Sequence, residues 1–296
     1  MENFAIVDYK SYAQEKYDYT YLLEYEKRVA GKISDNAKKA AERDAQHIAI
    51  LKAFTDTYDK YDGKSNATSI WNAIYSAHIK RKAGTADLNE LNEEIIDKII
   101  SGAQSWKKSS GHVFEDYVSK YTQERLKQKH IRLLLQKDVT TMLRENQIAN
   151  DPDDAIPEMV ASEDFDLYAV LDLNGDNLVF GCVQVKTSIR DRVGRDRDFS
   201  IPIMNRHFWS AAVVLDGTYL HMPKFNAMVN GSGEENYKYR DNGWHGMYTL
   251  SNMENSDRIY YDPHLDLLIK HAEEAAKKFT SARQRFGQEW KAMQGL

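Results

Sequence analysis

Residues 164–198 read DFDLYAVLDLNGDNLVFGCVQVKTSIRDRVGRDRD, and their reading decides the fold. Two apolar runs flank Asn174-Gly175-Asp176-Asn177. An Asn-Gly pair between such runs is the strongest short-range signal for a β-hairpin. Asp166 stands near the start of the first run and Lys186 closes the second. Four arginines follow at once, interleaved with three aspartates.

Side chains alternate between the faces of a strand, so a pair of strands buries one parity from each. Odd positions are Phe165, Leu167, Ala169 and Leu171 in the first run, and Val179, Gly181, Val183 and Val185 in the second. Opposing odd with odd makes one face wholly apolar and gathers Asp166, Gln184 and Lys186 on the other. That register opposes residues whose numbers sum to an even value, such as 166 with 184. A two-residue turn gives odd sums and throws Asp166 and Lys186 onto opposite faces. The reading therefore expects an odd-length loop, or a bulge, at 174–176 in place of a tight Asn-Gly turn.

Outward from the hairpin, residues 1–150 read as mostly helical, with no proline before Pro152. Asp35-Asn36 and Thr68-Ser69 are candidate caps, and Gly84 is a candidate stop. A helix is expected after Asp87, and a further one from about Gly111 to about Ala149, broken near Lys129-His130, with Ile131, Leu134 and Leu135 on its apolar side. Residues 150–159, NDPDDAIPEM, read as loop. After the hairpin come a polar stretch, a strand in SAAVVLDGTYLHM with a turn at Asp216-Gly217, a glycine- and asparagine-rich loop over 230–247, and a helix from Pro263 onward. The soft boundary falls near residue 105, with a helical accessory region, 1–105, before an α/β region, 106–296.

Composition narrows the function class. The hydrophobic fraction of 42% and charged fraction of 29% are ordinary for a folded soluble protein. No apolar run approaches the roughly 18–20 residues that cross a bilayer, so no membrane partner is expected. The first residues lack the basic start and apolar stretch of a signal peptide. A single cysteine, Cys182, cannot form an internal disulfide, which points to a reducing cytoplasm. The net charge of −5 argues against a protein that coats DNA non-specifically, though local charge is what faces phosphate. Residues 118–146 carry seven Lys/Arg against three Asp/Glu, and residues 186–198 carry five against three.

An aspartate and a lysine on one strand face suit phosphodiester hydrolysis. Such chemistry uses a metal to polarise phosphate and activate water. Mg²⁺ takes oxygen ligands, which Asp166 and the backbone carbonyl of Val185 can supply. Lys186 can orient water or stabilise charge developing on phosphate. Solvated strand faces carry such pairs routinely, so the pair alone is weak evidence.

Three motifs together strengthen it. Asp166 followed by Gln184-Val185-Lys186 resembles the P-D…(D/E)-x-K signature of the restriction endonuclease-like nucleases. Upstream, SSGHVFEDYVSKY resembles the S-G-x-x-F-E helix of many type II restriction enzymes. Downstream, KTSIRDR resembles the K-x-x-I-R-S-D-R segment of NgoMIV and related enzymes that cut around a CCGG core. The phrase VKTSIRDRVGRDR resembles BsaWI-like restriction enzymes, which pair a helical N-terminal domain with this catalytic fold. The matching motifs span about residues 110–200.

The resemblance implies an α/β fold, a mixed sheet flanked by helices, and a type II site-specific endonuclease dependent on Mg²⁺. Glu115 and Asp166 would be metal carboxylates and Lys186 the catalytic lysine. Arg190, Asp191 and Arg192 would read bases, since Arg can pair bidentately with guanine and Asp can accept from cytosine. Arg195 and Arg197 would touch phosphate, which positions without specifying. Double-stranded DNA is the implied partner, and a palindromic target implies a homodimer or a higher homo-oligomer. A cognate DNA methyltransferase is implied in the same cell. The chain departs from the signature at Gln184, which is neutral where an acid is common. Asp196 and Asp198 are the candidates to replace that acid. Two rival readings are another nuclease of this fold, acting in repair or on structured DNA, and a sequence-specific DNA-binding protein with a dead site. Cys182 reads as a packed strand residue, and His207, His221 and His245 as structural or surface residues.

Overall fold

The computed structural model describes residues 9–32, 34–61, 67–84, 93–149, 155–162, 164–188, 193–232 and 239–284. The chain forms two compact units, Met1–Tyr117 and Val118–Leu296. The expected boundary near residue 105 lies inside a helix, and the division falls a little over three turns further along it.

The first unit is helical: α1 (Tyr9–Val29), α2 (Asp35–Lys60), α3 (Ala67–Ala83) and the leading part of α4 (Glu93–Lys127). Ser34 caps α2, its hydroxyl accepting from the Ala37 N–H, so the cap precedes the expected Asp35-Asn36 by one residue. Gly84, at φ +76°, follows α3 where the stop was expected. Aromatic rings fill the interior. Phe54 meets Trp71 and Tyr117 edge-on at 5.1 and 5.0 Å between centroids, geometry in which ring edges face π-clouds. His78 is buried and satisfied: its Nε2 is 3.1 Å from the Gly102 carbonyl and its Nδ1 2.8 Å from the Tyr17 hydroxyl. Burial and the nearby Arg81 charge lower its pKa to about 4.

The second unit carries a six-stranded mixed sheet in sequential order. Its elements after α4 are β1 (Ile131–Leu135), α5 (Gln136–Arg144), α6 (Ala155–Ala161), β2 (Leu167–Leu173), β3 (Asp176–Ser188) and α7 (Val193–Asn205). Then come β4 (Trp209–Asp216), a 3₁₀ turn (Thr218–His221), α8 (Pro223–Asn230), β5 (Gly246–Thr249), β6 (Ile259–Tyr261) and α9 (Asp266–Gln284). β1, β2 and β3 pair antiparallel, while β3 through β6 are parallel. β4 is buried along nearly its whole length, as a parallel strand covered on both faces must be.

Three expectations are corrected. The helix expected from Gly111 begins at Glu93 and passes through Gly111, and it ends where the break near Lys129-His130 was read. Residues Ile131–Leu135 are strand β1, paired to β2, instead of helix. The turn is the tight two-residue Asn174-Gly175 turn after all: Leu173 opposes Asp176, and φ is +57° and +91° at the two turn residues.

The even-sum register nevertheless holds where it was needed. From Leu173 to Val170 the pairs have odd sums; from Ala169, opposite Gly181, they have even sums. The extra residue is Phe180, so the bulge lies inside β3 instead of at 174–176. Gly181 beside it admits no side chain, because a Cβ would meet the Trp209 carbonyl oxygen at 2.5 Å.

Candidate active site

Asp166 immediately precedes β2, and its backbone is held on both sides. Its N–H donates to the Val183 carbonyl and its own carbonyl accepts from the Gln136 N–H, each at 3.2 Å. Its carboxylate Oδ2 accepts from the Val185 N–H at 2.6 Å and from Lys186 Nζ at 3.0 Å. The Asp166 and Lys186 side chains are 19% and 30% exposed, so solvent reaches the pair. An ion pair this open contributes only about 0–1 kcal/mol, so stability does not account for it. What the pairing fixes is the relative position of a carboxylate and an ammonium group.

Both bonds fall on Oδ2. A strand residue directs its N–H and C=O to the same edge. The Val185 N–H that faces Asp166 therefore brings the Val185 carbonyl to the same side.

Gln184, the position where an acid is common, is 1% exposed and spent on hydrogen bonds. Its Nε2 donates to the carbonyls of Asp196 (3.1 Å) and Asp164 (3.3 Å), and its Oε1 accepts from Trp244 Nε1 at 2.8 Å. Gln184, Lys186 and Asp196 line one small cavity with Val193, Trp244 and Met247. Asp198 is exposed two residues further along α7 and is not part of that lining.

The remaining expected residues fall elsewhere. Glu115 lies on α4 in the first unit, its Oε2 3.1 Å from His112 Nδ1. Arg190, Asp191 and Arg192 lie outside the described residues. Arg195 is exposed on α7, with its guanidinium 5.4 Å from the Phe199 ring. Arg197 is placed differently from Arg195. It is 8% exposed, and its guanidinium donates to the carbonyls of Met228 (3.1 Å) and Asp241 (2.6 Å), which makes it a strut between α7, α8 and the chain before β5. Among the described residues, no three His, Cys, Asp or Glu side chains gather as a metal-binding group.

Cys182 is fully buried with its thiol pKa pushed up by desolvation, the opposite of an activated nucleophile. His245 is structural: its Nδ1 accepts from the Ser210 N–H at 3.0 Å, and burial with the Arg258 charge lowers its pKa to about 4. Strand alternation places Gln184 on the site face, where a lone amide in an otherwise apolar run marks it; Trp244, its partner, carries no such signal in the sequence.

The chain is similar to known restriction endonucleases. Residues 149–285 match the family model "BsaWI restriction endonuclease type 2". A solved structure of the pre-specific restriction endonuclease BsaWI with DNA is 42% identical, covers 97% of this chain and 100% of that one, and superposes with a TM-score of 0.61. The chain belongs to the BsaWI restriction endonuclease family. That membership makes it a type II site-specific endonuclease. The AgeI–DNA complex, 17% identical with a TM-score of 0.52 over 86% of this chain and 91% of that one, shares the fold. The search of curated proteins returned no match. Within the BsaWI family frame, the six-stranded mixed sheet and flanking helices are the nuclease core. No described helix is long and apolar enough to cross a membrane.

Proposed function

We propose that the chain hydrolyses both strands of double-stranded DNA at a short palindrome with a CCGG core, using Mg²⁺. The observation that carries the reading is the Asp166 carboxylate held at the hairpin mouth by the Val185 N–H and, at 3.0 Å, by Lys186. DNA as substrate is supported by the BsaWI and AgeI structures, both of which are DNA complexes.

The donor set fits a hard cation. Mg²⁺ commonly uses one or two carboxylates and keeps several waters. Asp166 offers Oδ1, since both of its bonds use Oδ2, and the Val185 carbonyl lies on the same strand edge. Of the two candidates for the displaced acid, Asp196 is favoured because it shares a cavity with Lys186. Glu115 is proposed as a further carboxylate. When bound, the metal polarises the scissile phosphate and activates the attacking water.

Lys186 faces the charge that develops on phosphate. Arg190, Asp191 and Arg192 read G·C pairs in the major groove, each good bidentate contact being worth about 1–3 kcal/mol of discrimination. Arg195 contacts phosphate from α7. A palindrome has two equal half-sites, so the active assembly is a two-fold homodimer or a larger homo-oligomer. A cellular methyltransferase protects the same palindrome in host DNA.

Digestion of unmethylated phage-length DNA tests this. Discrete fragments that require Mg²⁺ and vanish with EDTA are expected. A smear would favour a structure-directed nuclease, tight specific binding without turnover a dead site, and full cutting by Lys186→Ala would refute the assignment.

A further inference from the structure

Resting on the reading of Asp196 as the second metal carboxylate, we propose that Gln184 is a positioning residue. Its amide ties the site strand to α7 through the Asp196 carbonyl, at the cavity that Asp196 and Lys186 both line, while Trp244 sets the orientation of the amide.

Donor and acceptor chemistry makes the arrangement one-way. An indole N–H can only donate, so the amide atom facing Trp244 must be the oxygen. The amino group is thereby turned toward the Asp164 and Asp196 carbonyls, which can only accept. Every polar atom of a side chain with 1% exposure is then paired. Trp244 is itself 1% exposed and packs with Val193, Ala212, Val214 and Met247, so its ring has a fixed seat.

Two other ties hold α7, one at Arg197, next to Asp196, and one about a turn further along. Arg197 reaches Met228 and Asp241, and the Ser200 hydroxyl meets that of Ser210 at 2.7 Å. Gln184 acts on the turn that carries Asp196 and does so from the strand that carries Lys186, two residues away.

A glutamate at 184 would complete the family signature, yet it would break this seat. It keeps an acceptor for Trp244 but loses both donors, and it sets a carboxylate against two carbonyl oxygens. The neutral amide and an acid on α7 therefore belong together.

The test uses the full chain with Mn²⁺ alone as probe, read by loss of the free-ion electron paramagnetic resonance signal. Mg²⁺ half-saturation of DNA cleavage and the melting temperature accompany it. Gln184→Met is expected to raise the Mn²⁺ dissociation constant and the Mg²⁺ half-saturation about 10–100-fold, the range for groups that orient metal ligands. Trp244→Phe, which keeps the ring and removes one donor, is expected to raise both in the same direction by less. Gln184→Glu is expected to bind Mn²⁺ no better than wild type.

Wild-type Mn²⁺ affinity in folded Gln184→Met and Trp244→Phe would overturn the proposal, as would tighter binding by Gln184→Glu. Should Gln184→Met fail to fold, Trp244→Phe decides. Asp196→Asn separates the two levels. Unchanged Mn²⁺ affinity there removes the metal reading of Asp196 and the proposal with it. A large loss there, with none in the Gln184 and Trp244 variants, removes the positioning role alone.

Discussion

The two ends of the β2–β3 hairpin follow different pairing rules, and one residue separates them. The turn end obeys local chemistry: Asn174 and Gly175 take the positive φ values that a two-residue turn requires, and odd sums follow. The site end obeys burial: Leu167, Ala169, Val183 and Val185 face one way, while Asp166, Gln184 and Lys186 share the other. Phe180 absorbs the conflict as a bulge. Turn chemistry and face alternation are both correct guides. They are reconciled by an irregularity that neither places, and the common facing of Asp166 and Lys186 depends on it.

This contrast can be broken at three places. Phe180 is fully buried, stacked on Trp209 at 6.2 Å and tilted against Phe279 at 6.3 Å. Phe180→Ala should cost about 3–5 kcal/mol of stability, measured by denaturant unfolding, while cleavage per folded molecule survives at low temperature. Lys186→Ala, at the other end, should lower the cleavage rate about 10²–10³-fold, the scale for removing one group that faces developing charge. Its melting temperature should stay near wild type, because an ion pair this exposed stabilises little. At the turn, Gly175→Ala forces an alanine to φ near +91° and should cost about 1–2 kcal/mol with no change in cleavage.

A pH titration sharpens the contrast more gently. His245 docks on Ser210, the partner of Cys182 just past the bulge. Its pKa is lowered to about 4 in the folded protein, from an ordinary value of 6.5. The unfolded chain therefore binds this proton first as pH falls. Its stabilising contribution is complete above pH 6.5 and is lost progressively from there down to about pH 4. His78 adds a loss of the same sign in the first unit. Replacing His245 with Gln should flatten the second unit's share of that slope, measured by unfolding across the window.

Much of this was legible in the sequence because it is local. The helices of the first unit follow from spacing, and Gly84 from its place after α3. Asp166 and Lys186 were legible because strand alternation puts them on one face. The misses share a cause: they depend on partners far along the chain. The run IRLLL suits a helix or a strand equally, and only pairing with β2 decides. β5 and β6 have four and three residues and exist because β4 offers an edge. Arg197 looks like any cation of a basic cluster until Met228 and Asp241, 31 and 44 residues away, present their carbonyls. Gln184 reads as a lost acid until Trp244 arrives from 60 residues downstream.

The most direct test compares Lys186→Ala and Phe180→Ala side by side, reading Mg²⁺-dependent cleavage of phage-length DNA together with the melting temperature. The predicted result is a crossed pattern: Lys186→Ala melts like wild type and barely cuts, while Phe180→Ala melts earlier and still cuts in the cold. Full cleavage by Lys186→Ala, or an inactive Phe180→Ala with wild-type stability, would contradict the account.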